Sequence, residues 1–308
     1  MQSQAWEASG LRGQNLMIFG LLLAGWPCFG QSPTPERQAV PASTGDTGIF
    51  AKVIANQKRE EANLNLYERV ERVEIRKTGS DANPSEVKVW RVFPAGTGLN
   101  KIPLSAEGKP MNAESYRAAL EKLETALVWA AQNGAAQNEA YGKFERKKKE
   151  RDELIEATQK AFLFTRLGEE MRGERVLVKY DMARNPSYKP ANRNEMVFTR
   201  VHGTIWIDKE TSELARIEGK VTEDITLALF LAKVYQGSYF MQERYEFAPG
   251  VWLPTYQQYD FDGRKFVMPF AIHERTLYSE YRRVGPPKEA AELVRNELSK
   301  LGSNRGDP

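Results

Sequence analysis

Val201-His-Gly-Thr-Ile-Trp-Ile-Asp-Lys-Glu-Thr-Ser-Glu-Leu-Ala-Arg-Ile-Glu-Gly-Lys-Val221 decides the architecture of this chain. On its first arm Val201, Ile205 and Ile207 share one parity, while His202, Thr204, Trp206 and Asp208 take the other. On the return arm Ala215, Ile217 and Val221 alternate with Arg216, Glu218 and Lys220. Successive side chains of a strand point to opposite faces, so this period of two predicts a hairpin with one buried and one wetted face. Asp208-Lys-Glu-Thr-Ser212 provides side chains that bond their own backbone, as a turn between the arms requires.

Downstream, the stretch from Ile225 to Tyr235 is apolar on nearly every side and fits either a short buried helix or a strand. Strands are then predicted over Ser238–Phe247 and Val251–Phe261. Asp262-Gly263 is a strong hairpin signal and leads into Arg264–His273 and a last strand ending near Val284. Pro286-Pro287 closes the sheet, and Glu289–Leu301 has the pattern of a short amphipathic helix. Upstream, Tyr67–Lys77 and Glu86–Phe93 read as strands joined by a turn at Gly79–Pro84, with 99–111 as a connection. Asn112 is a fair N-cap for a helix carrying Tyr116, Leu120, Leu123, Leu127 and Val128, which Asn133-Gly134 interrupts. A second helix is predicted over about Glu139–Glu170, whose Lys143–Glu153 run of six basic and four acidic residues fits a solvated face laced by i,i+4 pairs. Arg175–Tyr180 returns to strand character, and a loop over 185–194 precedes the hairpin. Asp46 is positioned to cap a first helix with Phe50, Val53, Ile54 and Gln57 at helical spacing.

Residues 1–30 have the form of a secretory signal, with Arg12 before the apolar run 16–25 and small residues Cys28 and Gly30 ahead of Gln31. That run is shorter than the roughly 20 apolar residues a membrane span needs, so cleavage is expected, leaving a periplasmic or secreted protein. Residues 31–46, rich in Pro, Ser, Thr, Gln and Ala, make a linker. Cys28 is the single cysteine, so the mature chain has no disulfide and no thiolate metal site. A net charge of +3 from 44 basic and 41 acidic residues is too even for a nucleic-acid binder, while it permits peripheral contact with anionic lipid.

The chemistry looked for along the chain is thin. His202 and His273 both fall in strands without a carboxylate or second histidine at metal-ligand spacing, so no metal is expected. Neither Ser238 nor Ser279 sits in a nucleophile turn, and Asp260 with Asp262 is explained by turn chemistry before a glycosidase pair. There is no glycine-rich phosphate loop, so no cofactor is expected and the chain reads as non-enzymatic. The aromatic residues of the last strands, Phe230, Tyr235, Tyr239, Tyr245, Trp252, Tyr256, Phe266 and Phe270, serve either a core or an apolar concavity. Of these Phe230, Tyr235, Tyr239, Trp252, Tyr256, Phe266 and Phe270 are the candidate ligand-binding set.

This order of features resembles the LolA-like superfamily of periplasmic lipoprotein carriers. The likeness rests on a leader, a helix, strands, and the Gly203-Thr-Ile-Trp-Ile-Asp208 arm with Arg216-Ile-Glu218 on its return. More closely, Glu71-Arg-Val-Glu74, Val92-Phe-Pro94, Gly108-Lys-Pro110, Gly237-Ser-Tyr-Phe240, Trp252-Leu-Pro254 and Tyr281-Arg-Arg283 are similar to pieces of a group of uncharacterised secreted bacterial proteins. The resemblance implies an α+β fold, a curved antiparallel sheet forming an unclosed half-barrel covered by helices. Here that domain would span 47–285, with a helical insertion at 112–170 and a C-terminal helix and tail at 286–308. It also implies a binding or carrier function for an apolar ligand, an acyl chain or lipidated protein, in the concave face. The alternative is an envelope interaction or sensor scaffold using a helical hairpin over 112–170.

Overall fold

The computed structural model describes residues 47–227 and 232–303. The expected leader, the linker and the Asp46 cap lie outside that range, as does the 228–231 segment. In chain order the elements are α1 (Thr47–Leu64), β1 (Tyr67–Ile75), β2 (Glu86–Pro94), β3 (Leu99–Leu104), α2 (Ala113–Ala130) and α3 (Ala135–Ala161). There follow β4 (Phe162–Arg172), β5 (Arg175–Arg184), a 3-10 turn (Glu195–Arg200), β6 (Val201–Asp208), β7 (Leu214–Val221), β8 (Ile225–Leu227) and β9 (Ala232–Val234). The chain then forms β10 (Tyr239–Ala248), β11 (Val251–Lys265), β12 (Met268–Arg283) and α4 (Pro287–Ser303).

All the strands join one antiparallel sheet in the order β3-β2-β1-β12-β11-β10-β7-β6-β5-β4, with the small β8–β9 hairpin laid against β11. β3 and β4 are its two edges, so the sheet is open and the fold is the α+β half-barrel the sequence implies. One cross-strand row shows how the inner face is composed: Tyr180, Ile205, Ile217, Gln242, Gln257, Thr276 and Val73 stand side by side across seven strands. The row is apolar up to Ile217 and polar over Gln242, Gln257 and Thr276, with Val73 at its far end. On the next row Gly203 and Gly219 face each other. A Cβ on Gly219 would come within 2.3 Å of the Phe240 ring, and one on Gly203 within 2.8 Å of Met182 Cε. The glycines there make room for the core side chains beside them.

Helices cover the two faces separately. α1, α3 and the 3-10 turn pack on the apolar inner face, where Phe50, Val53, Ala161, Val197 and Phe198 meet Tyr180, Val201, Ile205, Ile207, Ile217, Val221 and Phe240. α2 and α4 pack together on the opposite face of β2 and β3, where Leu120, Leu123, Leu127, Val294 and Leu298 meet Phe93 and Ile102. The Asn112 carboxamide caps α2 as its spacing suggests, accepting from the backbone N–H of Glu114 at 2.9 Å and of Ser115 at 3.0 Å.

Four expectations are corrected. The helical stretch ends at Ala161 rather than near Glu170, because Phe162 and Phe164 join β4, and Phe164 stacks on Phe50 with ring centres 4.1 Å apart. The segment 112–170 is therefore not a helical hairpin, since α2 and α3 leave toward opposite faces of the sheet. Leu99–Leu104 is an edge strand, not a connection. Asp262-Gly263 lies inside β11, and the turn comes later, at Phe266-Val267. Gly263 is needed for closeness instead of turning, since a Cβ there would stand 2.2 Å from the Lys233 carbonyl and 2.6 Å from Phe270.

Candidate functional site: an apolar inner face beneath a helix

α1 lies across the inner face and divides it by chemistry. Under its first half, Phe50, Val53 and Ile54 close over Phe162, Phe164, Met182, Val201, Ile205, Leu214, Ile217 and Phe240. A cavity of about 50 Å³ remains between helix and sheet. That is about a third of the ~150 Å³ cavity that takes up a single benzene, so an acyl chain does not fit while α1 is seated.

Under the second half of α1 the seat is charged. Glu60, Glu61 and Glu213 are almost fully buried around the buried Arg244 of β10, whose guanidinium stands 3.8 Å from the Glu61 carboxylate. Arg59 pairs with Glu213 and reaches Glu60 at 3.5 Å, while Arg151 of α3 reaches Glu61 at 3.3 Å. The Glu60 carboxylate also accepts the backbone N–H of Trp252 at 2.8 Å. Burial drives the Glu60 carboxyl above the ordinary carboxylate range against the pull of Arg244. Burial, with the Glu60 charge beside it, pushes Glu213 up to about 7. Burial also lowers Arg244, against the carboxylates that favour its charge. Gln57, one turn away, lines the small cavity where the two halves meet, and neither atom of its carboxamide, nor one oxygen each of Glu60, Glu61 and Glu213, has a hydrogen-bond partner among the described residues. Buried polar groups are ordinarily paired, so this seat is less well satisfied than the apolar half.

The charged seat sets a pH dependence. A carboxyl raised in the folded chain keeps its proton where the unfolded chain has lost it, so its contribution is full below about 4.5 and is lost as pH rises through about 7. Glu71, Asp208 and Glu297 are shifted the other way, and their contributions change below that window. Thermal midpoints should therefore fall between pH 5 and pH 8, by on the order of 5 °C, and Glu213→Gln should flatten that fall. A scanning calorimetry series in which the variant keeps the wild-type slope refutes the assignment to Glu213.

The aromatic set expected from the sequence does not converge. Phe270 alone packs against the inner apolar cluster. Tyr239 is on the outer face, donating to Glu218 at 3.0 Å, and burial followed by that carboxylate pushes its phenol up to about 12. Trp252 is buried in a small cluster with Leu177, Trp206 and Ala215, with the Arg175 guanidinium 5.1 Å from its ring centre. Tyr256 is on the outer face beside Leu277, Tyr235 and Phe266 are exposed, and Phe230 lies outside the described residues. The inner site is built instead by the alternating aliphatic residues of the first hairpin, which the period of two had already marked, and by Phe162 and Phe164, hidden in a stretch that reads as helix.

The polar candidates are engaged with one another. His273 is buried between Asp260 at 3.2 Å and Asp262 at 3.3 Å, and Arg275 holds Asp260 at 2.9 Å and the Gly79 carbonyl at 3.1 Å. His202 meets Asp181 at 2.9 Å. Among the described residues no group of three His, Cys, Asp or Glu side chains is placed to hold a metal, and no helix is long and apolar enough to cross a membrane. A second concavity, about 570 Å³, lies between β1, β2 and α4. Four of its charges pair with one another: Glu68 holds Arg91 and Arg282, and Glu297 holds Arg91 at 2.9 Å and the Tyr116 hydroxyl at 2.8 Å.

No family model matches the chain, and no curated protein matches it. Among solved structures it is similar to a domain from Vibrio parahaemolyticus named for outer membrane lipoprotein sorting. The two share 9% identity over 80% of this chain and 99% of that one, with a TM-score of 0.31. A superposition this loose assigns neither activity nor ligand, and the functional reading rests on the inner face itself.

Proposed function

We propose that the inner face binds an apolar chain, an acyl chain or the lipid of a lipidated protein, and that α1 is its displaceable cover. The protein then works as a non-catalytic carrier of the cell envelope. The observation that carries this reading is the division of α1's seat: an apolar floor under one half, and buried, incompletely paired polar groups under the other. Lifting α1 returns Gln57, Glu60 and Glu61 to water, where their charge and hydrogen-bonding are satisfied, and exposes a continuous apolar surface. An acyl segment of about ten methylenes would then gain up to roughly 8 kcal/mol from burial before ordering costs. The affinity observed is reduced by the fraction of protein in which the helix is seated.

Gln57→Leu tests the cover directly. It replaces an unpaired buried carboxamide with an apolar side chain of similar size, so it should stabilise the seated state by about 1–2 kcal/mol. The same change should weaken binding of an environment-sensitive fluorescent fatty acid by about 5- to 30-fold, because the competing seated state is deeper. Mass spectrometry of lipid co-purified with the protein provides an independent readout. Absence of saturable fatty-acid binding and of co-purified lipid in the wild type removes the carrier reading.

A further inference from the structure

The hairpin of β11 and β12 ends in chemistry that folding does not call for. Its two-residue turn is Phe266-Val267, flanked by the pair Lys265 and Met268. Phe266 has φ 57, in the left-handed region, where glycine, asparagine or aspartate is the ordinary occupant of a tight hairpin turn. A bulky aromatic followed by a β-branched residue is a strained choice there. All three apolar residues face solvent: Phe266 is 47% exposed, Val267 88% and Met268 66%.

The tip lies at the rim of the sheet, accompanied on one side by β9, which pairs with β11 as far as Lys265 and Ala232, and extending past its neighbour on the other. On the side of β1, pairing with β12 stops at Ile75 and Glu274, apart from one bond from the Arg76 N–H to the His273 carbonyl. The five residues 268–272 continue beyond that point, a reach of roughly 17 Å at the rise of an antiparallel strand. Behind the apex come cations. Arg264 and Lys265 have no ion pair among the described residues, and Lys233 of the adjoining β9 pairs with Asp224 at 2.7 Å. The near carboxylate on this arm, Asp262, is directed to His273.

From this juxtaposition, a solvent-facing apolar apex at the rim of the sheet with Arg264 and Lys265, which have no ion pair among the described residues, one step behind it, we infer that the β11–β12 tip docks on an anionic lipid surface. Phe266, Val267 and Met268 enter the boundary between headgroups and acyl chains, and Arg264 and Lys265 lie at the phosphate level. A two-residue hairpin apex offers too narrow a surface for a grooved partner to grip, and a bilayer needs none. Apolar insertion combined with attraction of Lys and Arg to anionic headgroups is the usual composition of interfacial binding. The inference is separate from the inner-face reading, since it concerns only where the protein sits.

The test places a reporter at the apex of the full chain. Val267→Cys in a Cys28→Ser background, labelled with nitrobenzoxadiazole, should blue-shift and brighten on addition of phosphatidylglycerol vesicles and respond less to phosphatidylcholine alone. The label reads insertion at residue 267 itself, so binding through residues 16–25 does not imitate it. Phe266→Asn with Val267→Gly supplies favoured turn chemistry, so the double variant should melt no lower than wild type, and its label at position 268, introduced as Met268→Cys, should lose about tenfold of the vesicle response. Emission unmoved by anionic vesicles overturns the inference, as does an equal response in the double variant. A shift that appears without vesicles and grows with protein concentration also overturns it, assigning the tip to a contact between copies of the chain.

Discussion

Arg244→Leu is expected to cost about 3–5 kcal/mol at pH 8, the range for removing one partner of a buried charge arrangement. Arg244 is fully enclosed and is the cation around which Glu60, Glu61 and Glu213 gather. Arg59 and Arg151 still reach those carboxylates from the rim, at 3.5 Å to Glu60 and 3.3 Å to Glu61, so the buried charges are not wholly abandoned. The loss should shrink toward pH 5, because Glu60 and Glu213 can take up protons in the folded chain more readily than in the unfolded one. Glu61→Gln placed on top of Arg244→Leu should recover part of the cost, and a double-mutant cycle isolates that coupling. The same substitution bears on function: it weakens the seat of α1, so a folded Arg244→Leu protein should take up fluorescent fatty acid more tightly than wild type. Denaturant melts showing a loss under about 1 kcal/mol, unchanged between pH 5 and pH 8, contradict the charged-seat account.

The first hairpin was legible because its chemistry is local. Period-two alternation fixes which side chains share a face before any partner is known, and Ile205, Ile207, Ile217 and Val221 all reach the inner core. The opposite parity was only half legible. Trp206 and Asp208 were expected to face water, yet both are buried, Trp206 between the cations of Lys179 at 4.9 Å and Arg216 at 4.6 Å from its ring centre. Asp208 is buried because it builds the turn, accepting from the Thr211 N–H at 2.8 Å and from Arg175 at 3.1 Å. Ala215 changes face for a reason that alternation cannot carry. An irregularity between Trp206 and Ile207 offsets the pairing, so Ala215 joins Trp206 on the outer side while Leu214 and Ile217 stay inside. The described aromatic residues of the late strands are scattered over both faces for a similar reason. Their placement depends on bulges and on which neighbour covers each face, and both are long-range facts. The charged seat of α1 is not legible in the sequence, since Glu60 and Glu61 sit in the charged run Lys58-Arg-Glu-Glu61 and meet Arg244 only across the fold.

Ile207→Asp is expected to unfold the domain under ordinary conditions. Ile207 is 1% exposed, paired with Val178 and Leu214, and packed in the largest apolar cluster, with no cation among its partners there. A carboxylate at that position either stays charged in apolar surroundings or binds a proton at a strongly raised pKa, and both routes cost several kcal/mol. The isoleucine packing is lost besides, so the total approaches the ~5–15 kcal/mol by which a domain is stable at all. Two outer-face substitutions calibrate the result. Lys220→Ala, at an exposed position, should cost under about 0.5 kcal/mol. Arg216→Ala should cost more, about 1–2 kcal/mol, because it uncovers the Trp206 ring and leaves Glu218 and Glu243 without the guanidinium they share at 2.8 and 3.4 Å. Circular dichroism and urea melts of the three variants separate the faces. If Ile207→Asp melts as wild type does, or if Arg216→Ala is as harmless as Lys220→Ala, then the inner and outer faces of this hairpin have been misassigned, and the apolar floor beneath α1 is misassigned with them.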